Sequence, residues 1–196
     1  MKKEITCRIF SNTPNLTTER FILRPMSLDD TDDMYEYAKN ADVTKYLTWS
    51  PHPDKTYTFE YLTYIQTRYK AGEFYDWSIV CKDSGKMIGT CGFTRFDYKN
   101  DLAEIGYVIN PRYQGQGVAT EVVSRIITFG FENLMLNRIE ARFIEGNNAS
   151  RRVMEKSNMN FEGILRGSAL IKGDYKNIGV CSILRKDFFE KETNLS

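Results

Sequence analysis

Residues 115–134 carry a clear helical periodicity. Val118, Val122, Ile126 and Phe129 form one stripe at helical spacing, and Ala119, Val123, Ile127 and Phe131 form its neighbour. Glu121, Arg125, Thr128 and Glu132 recur on the opposite side. Two adjacent apolar stripes predict a helix with a wide buried face. Short apolar runs bounded by turn residues predict strands at 20–25, 75–83, 87–96, 102–110, 138–145, 161–172 and 178–187. "SGK" (84–86) makes a hairpin of the second and third, and "KGDYKN" (172–177) joins the last two. Further helices are expected at 27–41, 56–71 and 148–157. Ser27, with Asp30 three residues on, opens the first of these, and Gly72 suits the end of the second. The order is strand, two helices, three strands, helix, strand, helix, two strands. It predicts an α/β (α+β) domain in which helices cover a mixed sheet of about seven strands. The expected division is an N-terminal appendage at 1–15, one domain at 16–190 and a tail at 191–196.

Composition narrows the partners. With 196 residues, 41% of them hydrophobic, the chain suits one compact domain. Its 27 basic and 26 acidic residues leave a net charge of +1, so nucleic acid is not an expected partner. Cys7, Cys81, Cys91 and Cys181 form no C-x-x-C pair and His52 is the only histidine, so no metal site is expected. The cysteines read as small buried apolar groups in a reducing compartment. The basic start "MKKEITCRIF" has no apolar core after it, and no apolar run approaches ~18 residues. The expectation is a cytoplasmic protein with no membrane partner.

The candidate chemistry lies in "NPRYQGQGVATEVV" (110–123). Gly115 and Gly117 stand between a predicted strand and the amphipathic helix. Glycines there let backbone N–H groups at a helix N-terminus approach a phosphate. A tight turn with no ligand accounts for them equally well. ATP fits poorly because no lysine follows Gly117, and a dinucleotide fits poorly because Thr120 stands where a third glycine belongs.

The spacing R-x-x-G-x-G-V-A, carried by Arg112, Gly115, Gly117, Val118 and Ala119, resembles the acyl-CoA pyrophosphate loop of the GNAT superfamily of N-acyltransferases. The resemblance runs over about residues 16–188. "LTTERFILRPMSLDD", "IGYVINPRYQGQGVATE" and "NNASRRVMEKS" are similar to the branch of ribosomal-protein N-terminal acetyltransferases. It implies a mostly antiparallel sheet splayed at a cofactor groove, acetyl-CoA as cofactor, no metal, and a monomer or homodimer. The implied reaction is direct acetyl transfer to an amine acceptor, a protein N-terminus first. A small amine (polyamine, amino sugar or amino acid) is the alternative acceptor, and a non-catalytic acyl-CoA-binding module the alternative class.

The resemblance also implies roles. Tyr107, Val108 and Ile109 would face the pantetheine. The N–H groups of Gln114, Gly115, Gln116, Gly117, Val118 and Ala119 would hold the pyrophosphate, with the Thr120 hydroxyl beside them. In the N-x-x-S motif, Asn147 would touch the cofactor and Ser150 would lie near its sulfur, with Arg151 or Arg152 reaching terminal phosphates. A backbone N–H near Val108 would bind the oxyanion. The helix tyrosine that protonates the thiol in many members is replaced by Met154, which leaves Ser150 as the implied acid. A glutamate that some members carry is Ala169 here, leaving Glu104 or Glu140 as a base acting through water. Tyr46, Trp49 and His52 of "KYLTWSPHP" (45–53), with Tyr61 and Tyr64, would line the acceptor pocket. Each residue also has a purely structural reading: a helix cap for Asn147, paired carboxylates for Glu104 and Glu140, core edge for the aromatics. Asn158 replaces a family glycine and reads as a left-handed helix cap.

Overall fold

The computed structural model describes residues 3–193. Helix α1 (Lys3–Phe10) precedes a two-residue strand β1 (Leu16–Thr17) and strand β2 (Phe21–Arg24). Helices α2 (Thr31–Ala38), α3 (Ala41–Thr44) and α4 (Lys55–Lys70) follow, then β3 (Asp76–Cys81), β4 (Met87–Asp97) and β5 (Leu102–Ile109). Helix α5 (Val118–Glu132) crosses to β6 (Arg138–Ile144), and α6 (Asn148–Lys156) leads to β7 (Asn160–Ile171), β8 (Asp174–Leu184) and α7 (Arg185–Thr193).

The strands form one sheet in the order β1-β2-β3-β4-β5-β6-β8-β7. Every neighbouring pair is antiparallel except β5 with β6. The described sheet thus has eight strands where about seven were expected. The extra one, β1, is too short to show a period.

The parallel pair positions the site. β5 and β6 pair from Leu102↔Arg138 to Ile105↔Ala141 and then part. Past that point β5 follows β4 to Gly89↔Ile109, while β6 follows β8 to Ile144↔Ile178. The expected splay is therefore present, and it opens a gap beside the second half of β5.

The core has two sides. Beneath one face of the sheet, Val122, Ile126 and Phe129 of α5 pack with Trp77, Phe93 and Ile105. Over the other, Met34, Tyr37, Leu62 and Ile65 from α2 and α4 cover Met87 and Val108. α1 belongs to the first side. Phe10 is fully buried there, edge-on to Tyr75 and Trp77, and the Trp77 indole N–H donates to the Pro14 carbonyl at 2.8 Å. Residues 1–2 of the expected appendage and 194–196 of the expected tail lie outside the described residues.

Three boundaries differ from the pattern for local reasons. The helix expected over 27–41 divides into a single 3-10 turn, α2 and α3. The Asp30 carboxylate, gripped by both terminal nitrogens of Arg24 at 2.6 and 2.8 Å and by the Ser27 N–H at 2.8 Å, fixes the start of α2. The Asn40 side chain accepts from the Asp42 N–H at 2.9 Å and starts α3 afresh. In the last hairpin the turn shrinks to Lys172–Gly173, both at positive φ, so β8 starts at Asp174. Among the described residues no helix is long and apolar enough to cross a membrane.

Candidate active site

The loop between β5 and α5 is built largely by its own side chains. Asn110 Oδ1 accepts from the Arg112 N–H at 3.1 Å, Gln114 Nε2 donates to the Ile109 carbonyl at 2.9 Å, and Gln116 Nε2 donates to the Arg112 carbonyl at 3.0 Å. Gly115 and Gly117 take φ of +74° and +78°, values that L side chains rarely adopt. At Gly115 a Cβ would meet nothing within 4 Å, so the backbone there faces open space. Gly117 caps α5, whose first N–H groups lack helical partners and carry the positive end of its dipole.

That open space is a cavity of about 470 Å³. Gln114, Gly115 and Gly117 through Thr120 line one side, Tyr107, Val108 and Ile109 the floor, and Asn147, Ser150 and Arg152 the far wall. Three residues assigned to this region by resemblance stand off it. Arg112 turns to Glu36 at 3.0 Å, and the Gln116 side chain is spent on the loop. Arg151 pairs with Glu155 at 2.8 Å and lies 4.1 Å from the Phe161 ring centre. Arg152 and Lys156, one turn apart on α6, supply the positive charge on the cavity wall instead.

Backbone direction along β5 follows from its ladder. The Asn110 N–H donates to the Ile88 carbonyl at 2.8 Å, and Val108 lies opposite Thr90. Alternation then turns the backbone groups of Gly106 and Val108 toward β4 and those of Tyr107 and Ile109 toward the gap. The expected oxyanion donor near Val108 is corrected accordingly: the N–H groups facing the gap are those of Tyr107 and Ile109.

α6 fixes the far wall. Asn147 is its N-cap, accepting from the Ser150 N–H at 3.2 Å, and also lines the cavity. The helix ends in a Schellman motif: the Met159 N–H reaches the Met154 carbonyl at 3.0 Å, the Asn158 N–H reaches Glu155 at 3.1 Å, and Asn158 sits at φ +63°. The Tyr107 hydroxyl lies 2.8 Å from Ser150 Oγ and donates to the Ser150 carbonyl at 3.0 Å.

A second cavity, of about 340 Å³, is also lined by this pair. Tyr46, Leu47, Tyr107, Asn147 and Ser150 line both cavities. Glu104, Arg142, Met154, Ser168 and Ala169 belong to the second. Glu104 accepts an ion pair from Arg142 at 3.2 Å and a longer one from Arg95 at 3.8 Å. Burial raises its pKa, and the two guanidinium groups oppose that rise. Glu140 lines neither cavity: it is buried between Arg138 at 2.8 Å and Arg142 at 3.4 Å. Its assignment as a base is corrected to a structural carboxylate.

Of the five aromatic or histidine side chains assigned to the acceptor side, Tyr46 alone lines either of these two cavities. His52 is buried among Trp49, Tyr57 and Tyr61, with Nδ1 2.9 Å from Thr58 Oγ1, and burial lowers its pKa. Tyr61 is packed against the α2–α4 core, and Tyr64 is exposed beneath Arg68. Arg142, Ser168 and Thr48, which do line the second cavity, carry no sequence signal.

The family model described as an acetyltransferase (GNAT) domain matches residues 20–160. The uncharacterized N-acetyltransferase p20 of Bacillus licheniformis is 35% identical over 173 residues, covering 88% of this chain and 97% of that protein. The uncharacterized N-acetyltransferase YoaA of Bacillus subtilis is 31% identical over 172 residues, again 88% and 97% of the two chains. Among solved structures, a GNAT-family acetyltransferase from Bacillus anthracis superposes with a TM-score of 0.78 at 24% identity, over 88% of this chain and 99% of that one. RimL, a ribosomal L7/L12 alpha-N-protein acetyltransferase solved with coenzyme A, gives 0.75 at 20%, over 87% and 98%.

Proposed function

The chain belongs to the GNAT acetyltransferase family, and from that premise we propose that it moves an acetyl group from acetyl-CoA directly to a protein N-terminal α-amine. The observation that carries this reading is the meeting of two cavities at Tyr107 and Ser150, one against the glycine loop and the other holding Glu104. The first cavity fits coenzyme A. The open space at Gly115 and the N-terminus of α5 suit a pyrophosphate, and Arg152 and Lys156 suit further phosphate. When bound, acetyl-CoA supplies an already activated thioester, so no protein nucleophile is required.

The chain's own groups then have three tasks. The gap-facing N–H groups of Tyr107 and Ile109 hydrogen-bond the donor's arm and the carbonyl oxygen as negative charge builds on it. Glu104, with its raised pKa, takes a proton from the incoming ammonium, directly or through water. Ser150, held by the Asn147 cap at the start of α6, gives a proton to the departing sulfur.

The second cavity favours an α-amine over a polyamine. Glu104 is the one carboxylate among the described residues that line it, and Arg142 already pairs with it. A second cationic centre would find no anion there. The test is thiol release from acetyl-CoA with a panel of alanyl and seryl peptides, spermidine, glucosamine and free amino acids. Fastest turnover on a peptide N-terminus is expected. Fastest turnover on spermidine would reject the acceptor assignment, and coenzyme A binding without turnover on any amine would reject catalysis.

A further inference from the structure

We infer that Tyr107 relays a proton to Ser150 during acetyl transfer, so that β5 supplies the tyrosine hydroxyl that α6 lacks. The inference rests on the acetyl-CoA reading above and adds a residue to it. At the helix position where many family members carry a tyrosine, this chain has Met154, fully buried and without a proton to give. One turn earlier on the same helix, Ser150 meets the Tyr107 phenol at 2.8 Å.

The contact has the geometry of a relay. A phenol carries one proton and can also accept. In the observed arrangement that proton points to the Ser150 carbonyl at 3.0 Å, which leaves the phenol oxygen free to accept from the Ser150 hydroxyl. Rotation about the C–O bond reverses the pair, and Tyr107 then donates to Ser150 Oγ. No heavy atom moves. Asn147 pins the serine through its backbone N–H at 3.2 Å, so the pair is fixed from both sides.

Tyr107 and Ser150 are both on the short list of residues shared by the two cavities. In the proposed relay Ser150 serves the leaving sulfur and Tyr107 the incoming amine. As the C–N bond forms and the C–S bond breaks, the sulfur takes the Ser150 proton, Ser150 takes the Tyr107 proton, and Tyr107 is refilled by the proton the nitrogen must lose. One proton passes from nitrogen to sulfur, and both hydroxyls end neutral. Burial pushes the Tyr107 pKa well above the ordinary tyrosine value, which makes the phenol a conduit and not a store of charge.

Tyr107→Phe keeps the ring and removes only the hydroxyl. Two readouts test it, after calorimetry has shown that the variant binds coenzyme A as the wild type does and thermal melting that it folds. The first needs no acceptor: ultraviolet titration of the bound coenzyme A thiol. Loss of the relay should raise its pKa by about half a unit or more, because the serine that stabilises the thiolate loses its own donor. The second is turnover with the best amine of the panel. The kcat should fall roughly 10–100-fold with KM for acetyl-CoA within about twofold, and Tyr107→Phe should add nothing to Ser150→Ala. An unchanged thiol pKa with unchanged kcat, in a variant that binds coenzyme A, overturns the relay alone. Failure of the wild type to bind coenzyme A overturns the acetyl-CoA reading beneath it.

Discussion

Arg20 and Glu121 lock the glycine loop to the far end of the sheet. Arg20 Nε meets Glu121 Oε2 at 2.7 Å, its backbone N–H meets Oε1 at 3.0 Å, and Nη1 donates to the Gln116 carbonyl at 3.0 Å. One side chain at the start of β2 thus holds both the loop and the first turn of α5.

Arg20→Ala should therefore weaken acetyl-CoA binding more than it weakens the fold. A largely exposed ion pair contributes about 0–1 kcal/mol to stability. The loop's N–H groups, however, lose the contact that aims them. Calorimetry should show a dissociation constant raised about tenfold, or 1.4 kcal/mol, with little change in melting temperature.

Gly115→Asp should fold and fail to bind. The open space there accommodates a side chain, so the folding penalty is the positive φ alone, about 1–2 kcal/mol. The carboxylate would face the phosphates. A folded variant that still binds coenzyme A normally would place the pyrophosphate elsewhere.

Much of this site was legible in the sequence, for a specific reason. Gly115, Gly117, Asn147 and Ser150 are placed by backbone conformation and helix starts, which are local, so their spacing survives as a pattern. The acceptor side was not legible, because it forms between elements distant in the chain. His52 and Tyr61 were aromatic residues in the expected region, but His52 is buried against Thr58 of α4 and Tyr61 packs on the α2–α4 core. Arg142 reaches the second cavity because β6 parts from β5, which no local pattern records. The same holds at the N-terminus, where α1 lies in the expected appendage but delivers Phe10 to the core.

Phe10→Ala tests that last point. Removing a fully buried phenylalanine leaves a cavity among Tyr75, Trp77 and Phe93. The expected loss is about 3–5 kcal/mol in urea unfolding. A loss below about 1 kcal/mol would mean that α1 contributes nothing to the domain's core.

Asp76 gives a pH dependence of stability. Burial pushes its pKa up to about 7 from the ordinary 3.8, against hydrogen bonds from Thr90 and the Trp77 N–H. The folded chain then keeps a proton that the unfolded chain releases between those values. Fewer protons on the unfolded state mean that stability falls as pH rises through this window. Asp76→Asn should abolish that slope, gaining stability relative to the wild type at pH ~8 compared with pH ~5. Urea unfolding of both proteins at the two pH values checks the sign.

Glu104→Gln should remove the acidic limb of the pH–rate profile. As a base Glu104 works only when ionised, and its raised pKa puts that limb above the ordinary value of 4.5. The variant should lose roughly 100-fold in kcat/KM near neutral pH and bind acetyl-CoA unchanged.

Direct transfer between the two cavities that share Tyr107 and Ser150 can be read from initial velocities over a grid of acetyl-CoA and acceptor concentrations. Intersecting double-reciprocal lines are expected, with no thiol release until the amine is present. Parallel lines, with a stoichiometric burst of thiol in the absence of amine, would show that an acyl-enzyme forms and would contradict it.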